Sequence, residues 1–145
     1  MSINQNIGGL AEIALRVNDL KAMSHFYENV VGLEVMSRDD QMTFFKIAEG
    51  FAGHTQILAL FDRSQGRLAT GQTTDKPYVA PAADRSTMDH IAFSIAKEKF
   101  ASEKERLEAL GMDVVVSFHE WVQWRSLYIV DPEGNSVEFV CYDPQ

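Results

Sequence analysis

The sequence predicts an α+β fold in which paired βαβββ modules form a cupped mixed sheet with helices outside. Three observations predict it. First, Glu12-Ile13-Ala14-Leu15-Arg16-Val17 matches His90-Ile91-Ala92-Phe93-Ser94-Ile95 in its apolar positions, 78 residues further on. Second, each copy is followed by about one helix's worth of residues that ends at a glycine, Gly32 or Gly111, 79 residues apart. Third, each copy closes on a strand–turn–strand pattern.

The elements follow in order. Glu12 to Val17 alternates as a strand, with Ile13, Leu15 and Val17 suited to pack on a helix and Glu12 on the opposite face. Leu20, Met23, Tyr27 and Val30 recur at the spacing of one buried helical face, and Gly32 stands where a helix C-terminal glycine belongs. Met42 to Ala48 and His54 to Phe61 read as strands around the turn-rich Glu49-Gly50-Phe51-Ala52-Gly53. Asp62 to Asp89 holds Gly66, Gly71, Pro77 and Pro81 with little apolar periodicity, and reads as a linker or as a loop over a site. In the second copy Ile91, Phe93 and Ile95 take the packing face and His90 the other. Phe100, Leu107 and Leu110 mark the second helix, with Glu103 to Leu110 in the place of Ser24 to Val31. Trp121 to Val130 and Ser136 to Tyr142 flank Asp131-Pro132-Glu133-Gly134-Asn135, a strong turn because Pro presets φ and Gly or Asn accepts φ > 0. The chain is thus expected to be one domain over 1–145, with modules at about 8–61 and 88–142 joined by 62–87.

Composition narrows the function classes. The chain has 145 residues, 46% hydrophobic and 23% charged, with no apolar stretch long enough to span a membrane. Its 13 Lys and Arg against 21 Asp and Glu give a net charge of -8, which repels a polyphosphate backbone and argues against nucleic acid as a partner. One cysteine, Cys141, forbids an intramolecular disulfide. Residues 1 to 9 lack the basic start and apolar run of a signal peptide, so the expected location is cytoplasmic. No phosphate-cradling glycine loop, CxxC pair or Gly-x-Ser-x-Gly elbow is present, which leaves kinase, zinc-ribbon and serine-hydrolase chemistry without support.

The repeat also selects candidate site residues. Val137 and Phe139 flank Glu138 in the last strand, and its counterpart 79 residues earlier is Ala59. Positions 12, 59, 90 and 138 are therefore equivalent and inward-facing, and modules related by a pseudo-two-fold would bring them together. Three carry Glu12, His90 and Glu138. Two carboxylates and an imidazole out of water are costly unless a positive charge compensates them, and a divalent cation does so. Oxygen and nitrogen donors suit Fe, Mn, Zn, Ni or Co, and three ligands leave positions open for water or substrate. An isolated strand histidine, by contrast, is more often structural than a ligand.

These residues resemble a known superfamily. Glu12-Ile-Ala-Leu-Arg-Val-Asn-Asp-Leu20 with Phe26-Tyr27 and Gly32-Leu33, the strand Asp89-His90-Ile91-Ala92-Phe93, and the ending Asp131-Pro-Glu-Gly-Asn-Ser-Val-Glu138 are similar to the vicinal oxygen chelate proteins. That group includes glyoxalase I, bleomycin- and fosfomycin-resistance proteins, methylmalonyl-CoA epimerase and the extradiol dioxygenases. The resemblance spans roughly residues 8 to 142. It implies a metal among positions 12, 90 and 138 that chelates adjacent oxygens of a small-molecule substrate. His90 and Glu138 fall on the family's usual ligand positions; Glu12 stands where His is common, and Ala59 where glyoxalase I has a fourth ligand. His119, Leu127-Tyr128, Asp131-Pro132, Gly134 and Glu138 nearly reproduce the extradiol dioxygenase signature, which implies that His119 and Tyr128 face the substrate or donate and shuttle protons. The expected activity is metal-dependent, dioxygenase-like or isomerase/lyase-like. A homodimer is expected because related proteins commonly assemble so.

Trp121, Trp124 and Arg125 form an aromatic and polar cluster before Tyr128. They read either as edge-strand packing with Arg125 solvated or ion-paired, or as a wall and anion clamp for a small aromatic or carboxylated substrate. A different class of function uses the same cluster: a metal-free binding or sequestration protein like the bleomycin-resistance members. His54 and Gln56 read as hairpin-end residues, the charges from Lys97 to Glu108 as a solvated helix face, and Cys141 as a thiol without a nucleophile's surroundings.

Overall fold

The computed structural model describes residues 9–10, 12–50, 55–64, 90–120 and 123–145, with His90 described by its place in its strand. Contacts gather into two units, Met1–Ser86 and Thr87–Gln145. The first unit runs β1 (Glu12–Val17), α1 (Leu20–His25) continuing into a π-helical turn (Phe26–Val31), β2 (Glu34–Arg38), β3 (Met42–Ala48) and β4 (Gln56–Asp62). The second runs β5 (His90–Ser94), a 3-10 turn (Lys97–Lys99), α2 (Phe100–Ala109), β6 (Val115–His119), β7 (Trp124–Val130) and β8 (Ser136–Tyr142).

Each unit is a βαβββ module with a four-stranded mixed sheet. The strand orders are β1-β4-β3-β2 and β5-β8-β7-β6, and in each the first pair is parallel and the others antiparallel. The repeat holds to the register. Ala14 pairs with Ala59 in the first sheet, and the equivalent Ala92 pairs with Glu138 in the second.

Local chemistry explains the boundaries. The Asp19 carboxylate accepts the Ala22 N–H at 2.9 Å and so caps α1. After His25 the helix widens to the π form, whose i→i+5 bonds add a residue to the turn. That wider turn carries Val31, rather than the expected Val30, onto the buried face beside Met23, Phe26 and Tyr27. Gly32 at φ 88° ends it, with Leu33 N–H returning to Tyr27 C=O at 2.9 Å. Gly111, φ 81°, ends α2 in the same way through Met112 N–H to Leu107 C=O at 3.1 Å. Phe100 and Leu107 are buried as expected, but Leu110 lies past the last helical residue and is 49% exposed.

The strand ends differ slightly from the sequence expectation. β4 starts at Gln56 and continues through Asp62, where the carboxylate caps Ser64 N–H at 2.8 Å; His54 lies outside the described residues. β7 starts at Trp124, and Trp121 likewise lies outside them, as does most of 62–87. The Asp131–Asn135 turn forms as expected. Asp131, 4% exposed, accepts the Glu133 and Asn135 N–H groups, each at 2.9 Å, and Gly134 takes φ 84°. Among the described residues no helix is long and apolar enough to cross a membrane.

Candidate functional site

Strand alternation gives the second sheet two unlike faces. Leu127, Ile129, Val137 and Phe139 occupy one face, all nearly fully buried, with the Arg125 guanidinium of that face 4.7 Å from the Phe100 ring of α2. Register places Glu138, Tyr128, Ser126, Ser117, His119 and Trp124 on the other. This second face is polar where the first is apolar.

Its centre is Glu138, 5% exposed. The Ser126 hydroxyl donates to Glu138 Oε1 at 2.5 Å, and the Tyr128 hydroxyl donates to the same oxygen at 3.1 Å. The backbone sets both contacts: Tyr128 is the direct cross-strand partner of Glu138, and Ser126 is the diagonal neighbour two residues along β7. Because β7 lies between β6 and β8, its short serine side chain is wholly buried. His119 Nε2 lies 2.9 Å from Tyr128 Oη, with the two rings near perpendicular at 87°. Tyr128 has one hydroxyl hydrogen and directs it at Glu138, so His119 Nε2–H is the donor to Tyr128. The result is a directed chain from His119 through Tyr128 to the carboxylate. A carboxylate so buried costs several kcal/mol to desolvate, and the two hydroxyl donors offset part of that cost.

The other expected residues are placed as follows. His90 opens edge strand β5 and pairs with Ser136, two residues along from the Ala92–Glu138 pair. Glu12 opens edge strand β1, exposed, on the face of the first sheet that carries Ala14 and Ala59. Among the described residues the acids buried besides Glu138 are Asp131 and Asp143, and both have structural partners. Trp124 is 45% exposed on the Glu138 face.

Arg125 is not brought to that face. It pairs with Cys141 on the helix side and lies 3.5 Å from Asp143, which Lys97 also contacts at 2.5 Å. Arg125 therefore ties the sheet to α2 through Phe100 and to the end of β8 through Asp143. Cys141 is 3% exposed, and burial, with the Asp143 carboxylate second, pushes its thiol above the usual range, as an inert core cysteine requires. Ser126 was missed from the sequence. Its signal was present, because it sits two residues before Tyr128 and so shares its face.

A cleft of about 650 Å³ in the first unit lies among Asp19, Ser24, Arg38, Asp39, Thr43 and Asp62. Four of its five acids have partners in the chain: Asp19 caps α1, Glu28 pairs with Arg38, Asp39 accepts the Gln41 and Met42 N–H groups, and Asp62 holds Ser64. Size notwithstanding, its chemistry is that of turns, and the Glu138 face is the stronger candidate. Among the described side chains, which do not include that of His90, no three His, Cys, Asp or Glu gather as a metal site.

Two βαβββ units of identical strand order, one with a buried carboxylate on its polar sheet face, define a class of paired-module proteins. The chain belongs to the glyoxalase/bleomycin resistance protein/dioxygenase superfamily, whose family model matches residues 9–139. It is 33% identical to a lactoylglutathione lyase from Agrobacterium tumefaciens, with a TM-score of 0.66 over 92% of each chain. It is 25% identical over 133 residues to the glutathione transferase FosA of Serratia marcescens, covering 89% of this chain and 77% of that protein. The fosfomycin resistance protein FosX of Listeria monocytogenes shares the fold at 24% identity and a TM-score of 0.60, covering 93% of each chain.

Proposed function

We propose that the chain is a metal-dependent enzyme acting on a small substrate with vicinal oxygens, by dioxygenase-like or isomerase/lyase-like chemistry. The observation that carries this reading is Glu138: a buried carboxylate on a polar sheet face, steadied by Ser126 and Tyr128, with His119 behind them. Glu138 and His90 are the proposed ligands, with Glu12, the repeat's counterpart of His90, as the third. Carboxylate and imidazole donors fit one divalent ion of the Fe, Mn, Zn, Ni or Co type. A FosX variant of this fold is itself complexed with Mn(II) and 1S,2S-dihydroxypropylphosphonic acid.

When bound, such an ion supplies Lewis-acid polarisation of substrate oxygens. The protein's own groups do the rest. Tyr128 Oη, between Glu138 Oε1 and His119 Nε2, is placed to give or take a proton, and His119 is placed to restore it. Trp124 offers an exposed ring on the same face, and Trp121 is proposed to flank it, so that a planar or aromatic substrate could stack. A homodimer is the assembly proposed.

The test is metal content after loading with Mn(II) and desalting. Wild type is expected to retain one ion per chain and Glu12→Ala, His90→Ala and Glu138→Ala to lose it; unchanged content in all three variants would overturn the reading. Ligand binding by wild-type protein that retains no metal would instead favour the sequestration function of bleomycin-resistance type.

A further inference from the structure

We infer that β6 is a pairing edge for a second copy of this chain, joined antiparallel about a two-fold axis through Ser117. The inference rests on the homodimer reading above and gives it a surface. Sheet order leaves four edge strands, β1, β2, β5 and β6. Edges are ordinarily guarded against pairing by charges, bulges or small outward side chains. β1 carries Glu12 and Arg16. β2 brackets the exposed Met36 with Glu34 and Arg38 and breaks its ladder there with a bulge. β5 buries Ile91 and Phe93 and turns Ala92 and Ser94 outward. β6 has none of these guards: it holds no Asp, Glu, Lys or Arg, and Val115, Val116 and Phe118 are 62%, 44% and 37% exposed. Among the described residues, its backbone hydrogen-bonds to β7 and to no other element.

The occupant is a second copy because the strand complements itself. A net charge of -8 opposes self-association wherever acids face one another, so two copies meet best where both surfaces are uncharged. A two-fold axis normal to the sheet makes the strands antiparallel and keeps each face on its own side, so opposed residues share parity. Centred on Ser117, it sets Val116 opposite the partner's Phe118 on the helix side, and His119 opposite the partner's Val115 on the Glu138 side. The acids that bracket the strand, Asp113 and Glu120, differ in parity, so this register sets neither opposite the other. The exposed apolar groups cover one another, and the alternate N–H and C=O groups that β6 turns away from β7 gain partners. The outer flank of His119, whose ring meets Tyr128, is then closed by Val115 of the partner subunit.

The experiment reads the mass of the full chain by sedimentation from about 1 to 200 μM, because two short edges bury less than a standard interface and hold in the micromolar range. Wild type is expected to pass from one chain to two. Val116→Lys with Phe118→Lys, its fold checked by circular dichroism, is expected to dimerise at least about tenfold more weakly. Ser117→Cys is an independent arm that needs no change of charge. Residues opposed across the axis stand about 4.5–5.5 Å apart at Cα, within disulfide reach, so mild oxidation is expected to link two chains at position 117. Cys141 is buried and gives wild type no such link, and Ser37→Cys on β2 serves as the control edge. A wild-type dimer that the double variant leaves intact, with Ser117→Cys linked no faster than Ser37→Cys, overturns the β6 edge and leaves the homodimer standing. Single-chain mass of wild type at every concentration, with no link at position 117, overturns both.

Discussion

The two units share a backbone plan and differ in what they place on it. In the first sheet the positions around Ala59 are apolar: Phe44 pairs with Ala59, Met42 pairs with Phe61, and the Phe44 and Phe61 rings meet edge-on at 5.7 Å. In the second sheet the same register positions carry Tyr128 opposite Glu138 and Ser126 opposite Val140. Met42, Phe44 and Ala59 correspond to Ser126, Tyr128 and Glu138. A carboxylate is tolerated in the second unit because its hydroxyl donors came with it. One backbone plan thus carries a polar cluster in one unit and an apolar one at the same register positions of the other.

Giving the first unit the charge without the donors is the largest expected perturbation. Ala59 is fully buried beside Phe44, so Ala59→Glu is expected to cost about 3–5 kcal/mol in urea unfolding, as an uncompensated buried charge does. The introduced carboxyl would have its pKa raised by burial, so the loss should shrink as pH falls and the group is protonated, and grow as pH rises. Little loss at neutral pH would break the contrast between the sheets.

A smaller effect is expected at Asp143, which is 5% exposed and ties the end of β8 to Lys97 and Arg125. Asp143→Ala should cost about 2 kcal/mol, after allowing for two half-exposed partners, and leave Mn(II) affinity unchanged. In the first unit the buried hydroxyl pair Ser24–Thr43, 2.8 Å apart, joins α1 to β3. Ser24→Ala should cost about 1 kcal/mol, and Ser24→Ala with Thr43→Val less than the sum of the single changes, since both partners are then apolar. Hydroxyls of the first unit would then be structural.

The smallest effect concerns Cys141. Its thiol is raised mainly by burial, so the folded state holds the proton longer than the unfolded one. The stability this contributes is fully present below the ordinary thiol pKa of about 8.5 and is lost as pH rises from there toward the folded value. Urea midpoints measured across that window should fall less in Cys141→Ala than in wild type.

Much of this was legible in the sequence because it depends on local rules. Gly32 and Gly111 end helices with positive φ, Asp131 and Gly134 make the last turn, and the apolar match of the two opening strands reports a repeated register. The π-helical turn was not legible, since Val30 and Val31 are chemically alike and only packing decides which is buried. Arg125 could have been placed from sequence: it is three residues from Tyr128, and alternation sends the two to opposite faces. Parity with Tyr128 puts Ser126 on the Glu138 face, but only the register between β7 and β8 shows that it sits diagonally across from Glu138 and donates to it.

The central claim is that the buried carboxylate of the second unit serves a cation. Calorimetric titration of Mn(II) into chelator-treated wild type and Glu138→Gln tests it most directly, because glutamine keeps the shape and removes the charge. One ion per wild-type chain, with at least a tenfold loss in the glutamine variant, is the result expected. Equal binding by both proteins would contradict the account.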